Sequence, residues 1–406
     1  VTHWTIERLG RKGDGVAIRD DARALAALTL PGEVIEGEVV EGRIAAPRII
    51  TPSADRVRPA CQHYRACGGC SLMHGSDDFV KTWKVGVVTE ALRAQGLTAP
   101  VAGVHVSPPR SRRRAVLSGR RTKKGALLGF HARASEVIVD ISDCHVLRPA
   151  IQKALPLLRE IVVVGASRAG ELSLTVTETR SGLDVTVTGG KTMEPALFEA
   201  LAALADKGDL ARLTWGDQPI TRRPPAIAFG RAQVTPPPGS FLQATAEGEA
   251  ALLAVIRDIT RGANRIIELF AGCGTFTLPL AETAEIHAIE GLPAPLQAMD
   301  AAARKAGGLR RITTEIRDLA RRPLLIDELG YDAIVIDPPR AGAEPQAREI
   351  AKSKAGVLAW VSCDPVTFAR DARILAESGW EISRLFVIDQ FRWSPHVETV
   401  AEIRRR

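Results

Sequence analysis

Short runs in which apolar and polar residues alternate open the chain, among them Gly15-Val-Ala-Ile-Arg19 and Glu33-Val-Ile-Glu-Gly-Glu-Val-Val40, broken by Pro31-Gly32 and Gly37. A period of two marks half-buried strands, and a small antiparallel barrel of the OB type is the expected form of residues 1–58. Pro47, Pro52 and Pro59 form a connector that neither a helix nor a central strand would carry through. The period then lengthens: Phe79, Val80, Trp83, Val87, Val88, Ala91 and Leu92 recur at helical spacing and predict a helix over 77–95. Alternating runs return at Gly125–Phe130, Glu136–Ile141, Glu171–Thr177 and Leu183–Thr188, with a helical stretch from Pro149 to Val164 between them. Residues 59–238 are therefore expected to form an α+β unit, closed by Pro236-Pro-Pro-Gly239. Beyond Ala244, helical stretches alternate with the short apolar runs Arg265–Phe270, Ile286–Glu290, Ala333–Asp337 and Val357–Ser362. That alternation predicts a doubly wound, parallel α/β sheet over 239–406, with ligands beyond the carboxyl ends of its strands.

Composition narrows the function classes. With 406 residues, 45% hydrophobic and 25% charged, the chain has the balance of a folded multi-domain protein and not of a disordered or collagen-like one. No run approaches the roughly 18 uncharged apolar residues of a membrane span, and the first residues lack an apolar signal core, so a cytoplasmic protein without a membrane partner is expected. Six cysteines are too few and too unevenly placed for a disulfide framework, which directs attention to metal binding and catalysis. Lys plus Arg exceed Asp plus Glu by 54 to 47, a mild excess that favours an anionic partner.

Candidate chemistry gathers at strand ends. Glu268-Leu-Phe-Ala-Gly-Cys-Gly-Thr joins a strand to a helix through a turn in which Gly272 and Gly274 let a nucleoside approach the backbone. It lacks a full G-x-G-x-x-G, and Glu290 ends the next strand, where a carboxylate can take two ribose hydroxyls; together these favour S-adenosylmethionine over NAD. Asp337-Pro-Pro-Arg340 ends another strand in a rigid loop that holds an acid toward a pocket. Arg340 stands where amino-group methylases carry a stacking aromatic, so an exocyclic amine target is disfavoured and carbon or another atom is favoured over it. One strand further, Ser362-Cys363-Asp364-Pro365 puts a cysteine where a nucleophile would stand. Cys273, inside the glycine turn, reads as a small residue packed close to the cofactor.

These motifs, in the order Phe270-Ala-Gly-Cys-Gly-Thr-Phe-Thr, Asp337-Pro-Pro-Arg-Ala-Gly, Ser362-Cys-Asp-Pro and His396-Val-Glu-Thr-Val, resemble the RNA uracil-5 methyltransferase family. Gly239-Ser-Phe-Leu-Gln243 resembles its opening motif. The likeness extends over nearly the whole chain: the front resembles a TRAM domain, the middle the iron-sulfur domain of the 23S ribosomal RNA branch, and the end a Rossmann-like methyltransferase domain. It implies Gln243, Phe270, Glu290 and Asp337 around S-adenosylmethionine, Cys363 as nucleophile toward C6 of uracil, and Glu398 as the base that removes the C5 proton. Thr245 and Thr275 stand where the family often carries other polar residues, and Asp318 is a candidate adenine contact. The implied partner is structured RNA, 23S rRNA ahead of tRNA, with no obligate protein partner; an inactive RNA-binding protein is the reading from another class.

Cys61, Cys67 and Cys70, with Cys144 far along the chain, supply four soft ligands that suit either tetrahedral zinc or an iron-sulfur cluster. Three local cysteines and one distant one are more cluster-like than paired zinc ligands, and with the family likeness they favour 4Fe-4S. His63, His74 and His145 are nearby alternatives. Arg110, Arg112, Arg113, Arg114, Arg120, Arg121, Lys123 and Lys124 form an acid-free run expected to present a basic stripe to phosphates. Phe130 is expected in the core.

Overall fold

The computed structural model describes residues 3–406. His3–Leu9, Gly15–Arg19 and Ala22–Ala26 form an antiparallel meander, extended by Val34–Glu36, Arg43–Ile44 and Arg48–Thr51 into a six-stranded sheet. Its buried residues are Trp4, Ile6, Ala17, Ala24, Ala26, Ile35 and Ile44. The run 33–40 is regular only over Val34–Glu36, because at Gly37 the backbone passes against Ile44 with no room for a Cβ.

The middle of the chain builds a seven-stranded sheet in the order Ile138–Asp140, Gly125–His131, Arg114–Thr122, Glu171–Thr179, Gly182–Thr188, Arg212–Trp215, Gln218–Thr221. All neighbours are antiparallel except Gly182–Thr188 and Arg212–Trp215, whose parallel pairing needs the crossover that helix Pro195–Lys207 provides. Helix Pro149–Gly165 buries Ile151, Leu155, Leu158 and Val162, at spacings of four, three and four, in the same core as Leu117, Leu172 and Leu174.

The last third is an eight-stranded sheet in the order Ile312–Ile316, Glu285–Glu290, Arg265–Leu269, Ala333–Ile336, Val357–Ser362, Glu398–Arg405, Trp380–Asp389, Val101–Val106. The first five strands are parallel, as the alternating pattern predicts. Glu398–Arg405 then inserts antiparallel beside Val357–Ser362, a reversal absent from the purely parallel expectation. The sheet also recruits Val101–Val106, and helix Asp77–Ala94 buries Val88 and Leu92 in its core, so residues 77–106 of the expected central unit pack here. Among the described residues no helix is long and apolar enough to cross a membrane.

Candidate active site

Strand Arg265–Leu269 is flanked on both sides by parallel strands, Glu285–Glu290 and Ala333–Ile336, so the chain leaves it in opposite directions. Such a switch point opens a crevice at the carboxyl ends of the strands. A cavity of about 820 Å³ lies there, walled by Gln243, Glu268, Phe270, Glu290, Asp337, Cys363 and Glu398. Six of these were singled out from the sequence as site residues, and Glu268 only as a strand-end acid.

The turn after Leu269 is shaped by its backbone. Phe270 itself lies at φ +65°, a strained conformation for a side-chain-bearing residue, followed by Gly272 at +56° and Gly274 at +87°. A Cβ on Gly274 would come 2.6 Å from Met299, whereas one on Gly272 would point into open space. The second position thus leaves a cradle that a ligand can fill. Glu290 is pinned beside it, accepting the Gly272 and Leu292 N–H groups, each at 3.0 Å. Buried Glu268 accepts the Thr277 hydroxyl at 2.6 Å, and its enclosure, with the charges of Asp337 and Glu290, pushes its pKa up to about 8. Enclosure alone pushes Asp337 up to about 7. Four carboxyl groups, Glu268, Glu290, Asp337 and Glu398, around an 820 Å³ cavity suit a cationic ligand such as a sulfonium nucleoside, whose charge would favour their ionised forms.

Cys363 and Glu398 meet because of the antiparallel insertion. Ser362 pairs with Thr399, so the next residues outward, 363 and 398, stand level at the rim of the cavity. The Cys363 thiol is pushed up to about 12 by burial and then by the negative fields of Glu398 and Asp337, against the pull of Arg340. Glu398 is pushed up to about 8 by burial and by Asp337, with a hydrogen bond from Gln390 acting the other way.

Sequence reasoning missed Gln390. This buried side chain donates to Gln243 Oε1 at 2.6 Å, which leaves the Gln243 amide NH₂ facing Asp337 Oδ2 at 3.4 Å. Gln390 therefore ties Gln243 and Glu398 into one network, and its position at the end of an apolar strand was the sole sequence signal. The segment leading to Glu398 is anchored by a buried ion pair, Lys84 Nζ to Asp389 Oδ1 at 2.6 Å, and by Lys84 to the Phe391 carbonyl at 3.1 Å.

Other expectations are redistributed. Thr245 caps helix Ala246–Ile259, its hydroxyl engaged with the Gly248 N–H and with Ser107, and does not line the cavity; Thr275 does. Asp318 also lies outside the lining and caps its own turn through the Ala320 N–H. Cys273 is buried at the cavity edge. The basic run does not form one stripe, because three of its eight members, Arg112, Arg113 and Arg114, turn inward. Arg113 pairs with Glu249 and donates to the Gln243 carbonyl, while Arg114 donates to the Gly239 and Ser240 carbonyls, fixing the segment that carries Gln243. Arg120, Arg121, Lys123 and Lys124 stay near solvent.

Cys61, Cys67, Cys70 and Cys144 line a second cavity of about 440 Å³. Burial, and then the thiols of Cys144, Cys67 and Cys61, push Cys70 up to about 12. Among the described residues no group of three His, Cys, Asp or Glu side chains is placed to hold a metal ion. His74 is held between the Tyr64 hydroxyl and the Thr29 carbonyl, and His63 bonds Ser142. Phe130 packs on the central core.

Sheet order, switch-point cavity and acidic lining define a Rossmann-like methyltransferase. A family model described as tRNA (Uracil-5-)-methyltransferase matches residues 297–406. An uncharacterized RNA methyltransferase of Brucella suis is 43% identical over 98% of this chain and 96% of its own length. The 23S rRNA (uracil(1939)-C(5))-methyltransferase RlmD of Chromohalobacter salexigens is 33% identical over 99% of this chain and 89% of its own. The fold is shared, at a TM-score of 0.76 and 21% identity over 99% of both chains, with the Pyrococcus abyssi tRNA (uracil-54, C5)-methyltransferase solved with S-adenosyl-L-homocysteine. The chain belongs to the RNA uracil-5 methyltransferase family and is an S-adenosylmethionine-dependent RNA methyltransferase.

Proposed function

We propose that this enzyme methylates C5 of a uridine in 23S rRNA through a covalent adduct between Cys363 and C6. The observation that carries the reading is the juxtaposition of Cys363 and Glu398 on the rim of one acid-lined cavity. C5 of uracil is too weak a nucleophile to accept a methyl group unaided, so a covalent step is required. Bound S-adenosylmethionine supplies an electrophilic methyl on a sulfonium, and Gln243, Phe270, Glu290 and Asp337 are the residues to hold it. Cys363 releases its proton to solvent and attacks C6 as the thiolate, and the electron pair displaced toward C5 takes the methyl group, leaving the thioether S-adenosylhomocysteine. Glu398 as carboxylate then removes the C5 proton, and the pair left behind re-forms the C5–C6 double bond as the Cys363–C6 bond breaks. The RlmD relative supports a ribosomal substrate, and its base must leave the stack to reach this pocket.

In this reading residues 1–58 are a TRAM-type RNA-binding unit, 59–238 carry the iron-sulfur unit apart from 77–106, which pack with the catalytic unit, and 239–406 form the rest of that catalytic unit. Cys61, Cys67, Cys70 and Cys144 hold a 4Fe-4S cluster. The four thiols on the wall of one cavity are the all-thiolate ligand set that such a cluster takes.

Purified enzyme, labelled S-adenosylmethionine and 23S rRNA should yield label in 5-methyluridine, and RNA containing 5-fluorouridine should trap a denaturation-resistant adduct that Cys363→Ala does not form. Equal adduct in variant and wild type would sink the nucleophile assignment, and label in tRNA alone would overturn the substrate.

A further inference from the structure

Cys363 borders a second, smaller cavity on the side away from Glu268 and Glu290, about 190 Å³ in volume. Besides Val87 and Cys363–Pro365, its wall brings together three further parts of the chain. Arg11 and Lys12 come from the turn between strands His3–Leu9 and Gly15–Arg19, Arg340 from the acid-Pro-Pro loop, and Pro395 and His396 from the segment before Glu398. The N-terminal sheet thus reaches the lip of the catalytic pocket. Arg11 contacts Asp364 at 3.3 Å and offsets the one carboxylate on this wall. Lys12 and Arg340 are exposed, and no carboxylate pairs with either among the described residues.

We propose that this cavity is the seat of the target nucleotide's backbone, with Lys12 and Arg340, aided by Arg11, holding the phosphates that flank the uridine attacked by Cys363. The inference rests on the reading of Cys363 given above. At 190 Å³ the cavity is below the roughly 300–1,000 Å³ of a site for a whole ligand, so it takes part of one. A uracil attacked at C6 carries its ribose and two phosphates on the side next to C6, and that side faces three cations here. Apart from His396 the lining has no aromatic ring on which a base would stack, which favours phosphate over a second base. The device explains why the N-terminal sheet is placed against the catalytic unit: RNA engaged by its first turn is already in register with the nucleophile.

The test measures binding of a 23S rRNA fragment to the full chain across salt concentration, together with 5-fluorouridine adduct formation. Each phosphate contact contributes about 0.7 to 0.9 to the slope of log K against log salt, from single strands to a duplex. Lys12→Ala should reduce the slope by about one, and Arg11→Ala with Lys12→Ala by one to two, with Lys12→Arg restoring it. The charge-matched control Lys207→Ala with Arg261→Ala, both on exposed helix ends, should leave the slope in place. Calorimetry with S-adenosylmethionine checks that the variants fold. An unchanged slope in folded Lys12→Ala protein overturns the clamp even if the wild type forms adduct. A wild type that forms no adduct but loses slope on Lys12→Ala removes the catalytic reading and keeps the phosphate site.

Discussion

Replacing Gln390 with Leu tests how the catalytic base is tuned. Leu keeps much of the buried volume but deletes the amide that hydrogen-bonds Glu398 and orients Gln243. A hydrogen bond to a charged group is worth about 1.5–3 kcal/mol. At 1.36 kcal/mol per pKa unit, its loss raises the carboxyl by about one to two units. Glu398 already stands at about 8. At pH 7 roughly a tenth of the wild-type carboxyl is ionised, against about a hundredth or less after a one-unit rise. The base must be ionised to take the C5 proton, so the acidic limb of the kcat profile moves to higher pH. Activity at pH 7 falls about ten- to hundredfold and recovers toward wild type above the raised pKa of about 9 to 10. Single-turnover methylation of a 23S rRNA fragment across pH 6–10 reads this directly. A loss of equal size at every pH would refute the tuning and leave Gln390 a packing residue.

Three further outcomes follow from the geometry. Glu268, Asp337 and Glu398 all have folded-state pKa values raised above the ordinary carboxyl range, so the ligand-free protein holds protons there that the unfolded chain has released. Its stability is therefore fully present below about pH 4 from these groups and declines as pH rises through about 7 to 8; Glu268→Gln should flatten the fall in Tm between pH 5 and 8. Lys84→Met leaves Asp389 buried without its partner and should cost about 3–5 kcal/mol in a urea titration, with no such loss meaning that water reaches the pair. Cys70→Ser should purify with little iron and sulfide and lose the broad visible absorbance of a cluster, whereas wild-type protein containing zinc and no iron would reverse the metal assignment.

The alternation of helices and apolar runs after Ala244 was legible because parallel strands buried on both faces leave continuous hydrophobic stretches. Strand-end placement likewise made Glu290, Asp337 and Cys363 visible, since ligands of such sheets gather where strands stop. The network through Gln390 was not, because a lone glutamine just past the end of strand Trp380–Asp389 carries no periodic signature and its partner Gln243 lies 147 positions away. The basic run misled for a related reason: charge in sequence says nothing of direction, and Arg113 and Arg114 spend theirs on a buried carboxylate and on carbonyls of the Gln243 segment.

Local patterning by itself determined the three kinds of sheet, the glycine turn at Gly272 and Gly274, and the residue types available for chemistry, because each depends on neighbours within a few positions. Only the tertiary structure decided which of them meet. The antiparallel return of Glu398–Arg405 beside Val357–Ser362 sets Glu398 next to Cys363, and the packing of the N-terminal turn sets Arg11 and Lys12 on the wall of a cavity that Cys363 borders. Those meetings depend on strand register and on the docking of separate units, long-range choices that burial of distant surfaces makes and no short stretch of sequence records.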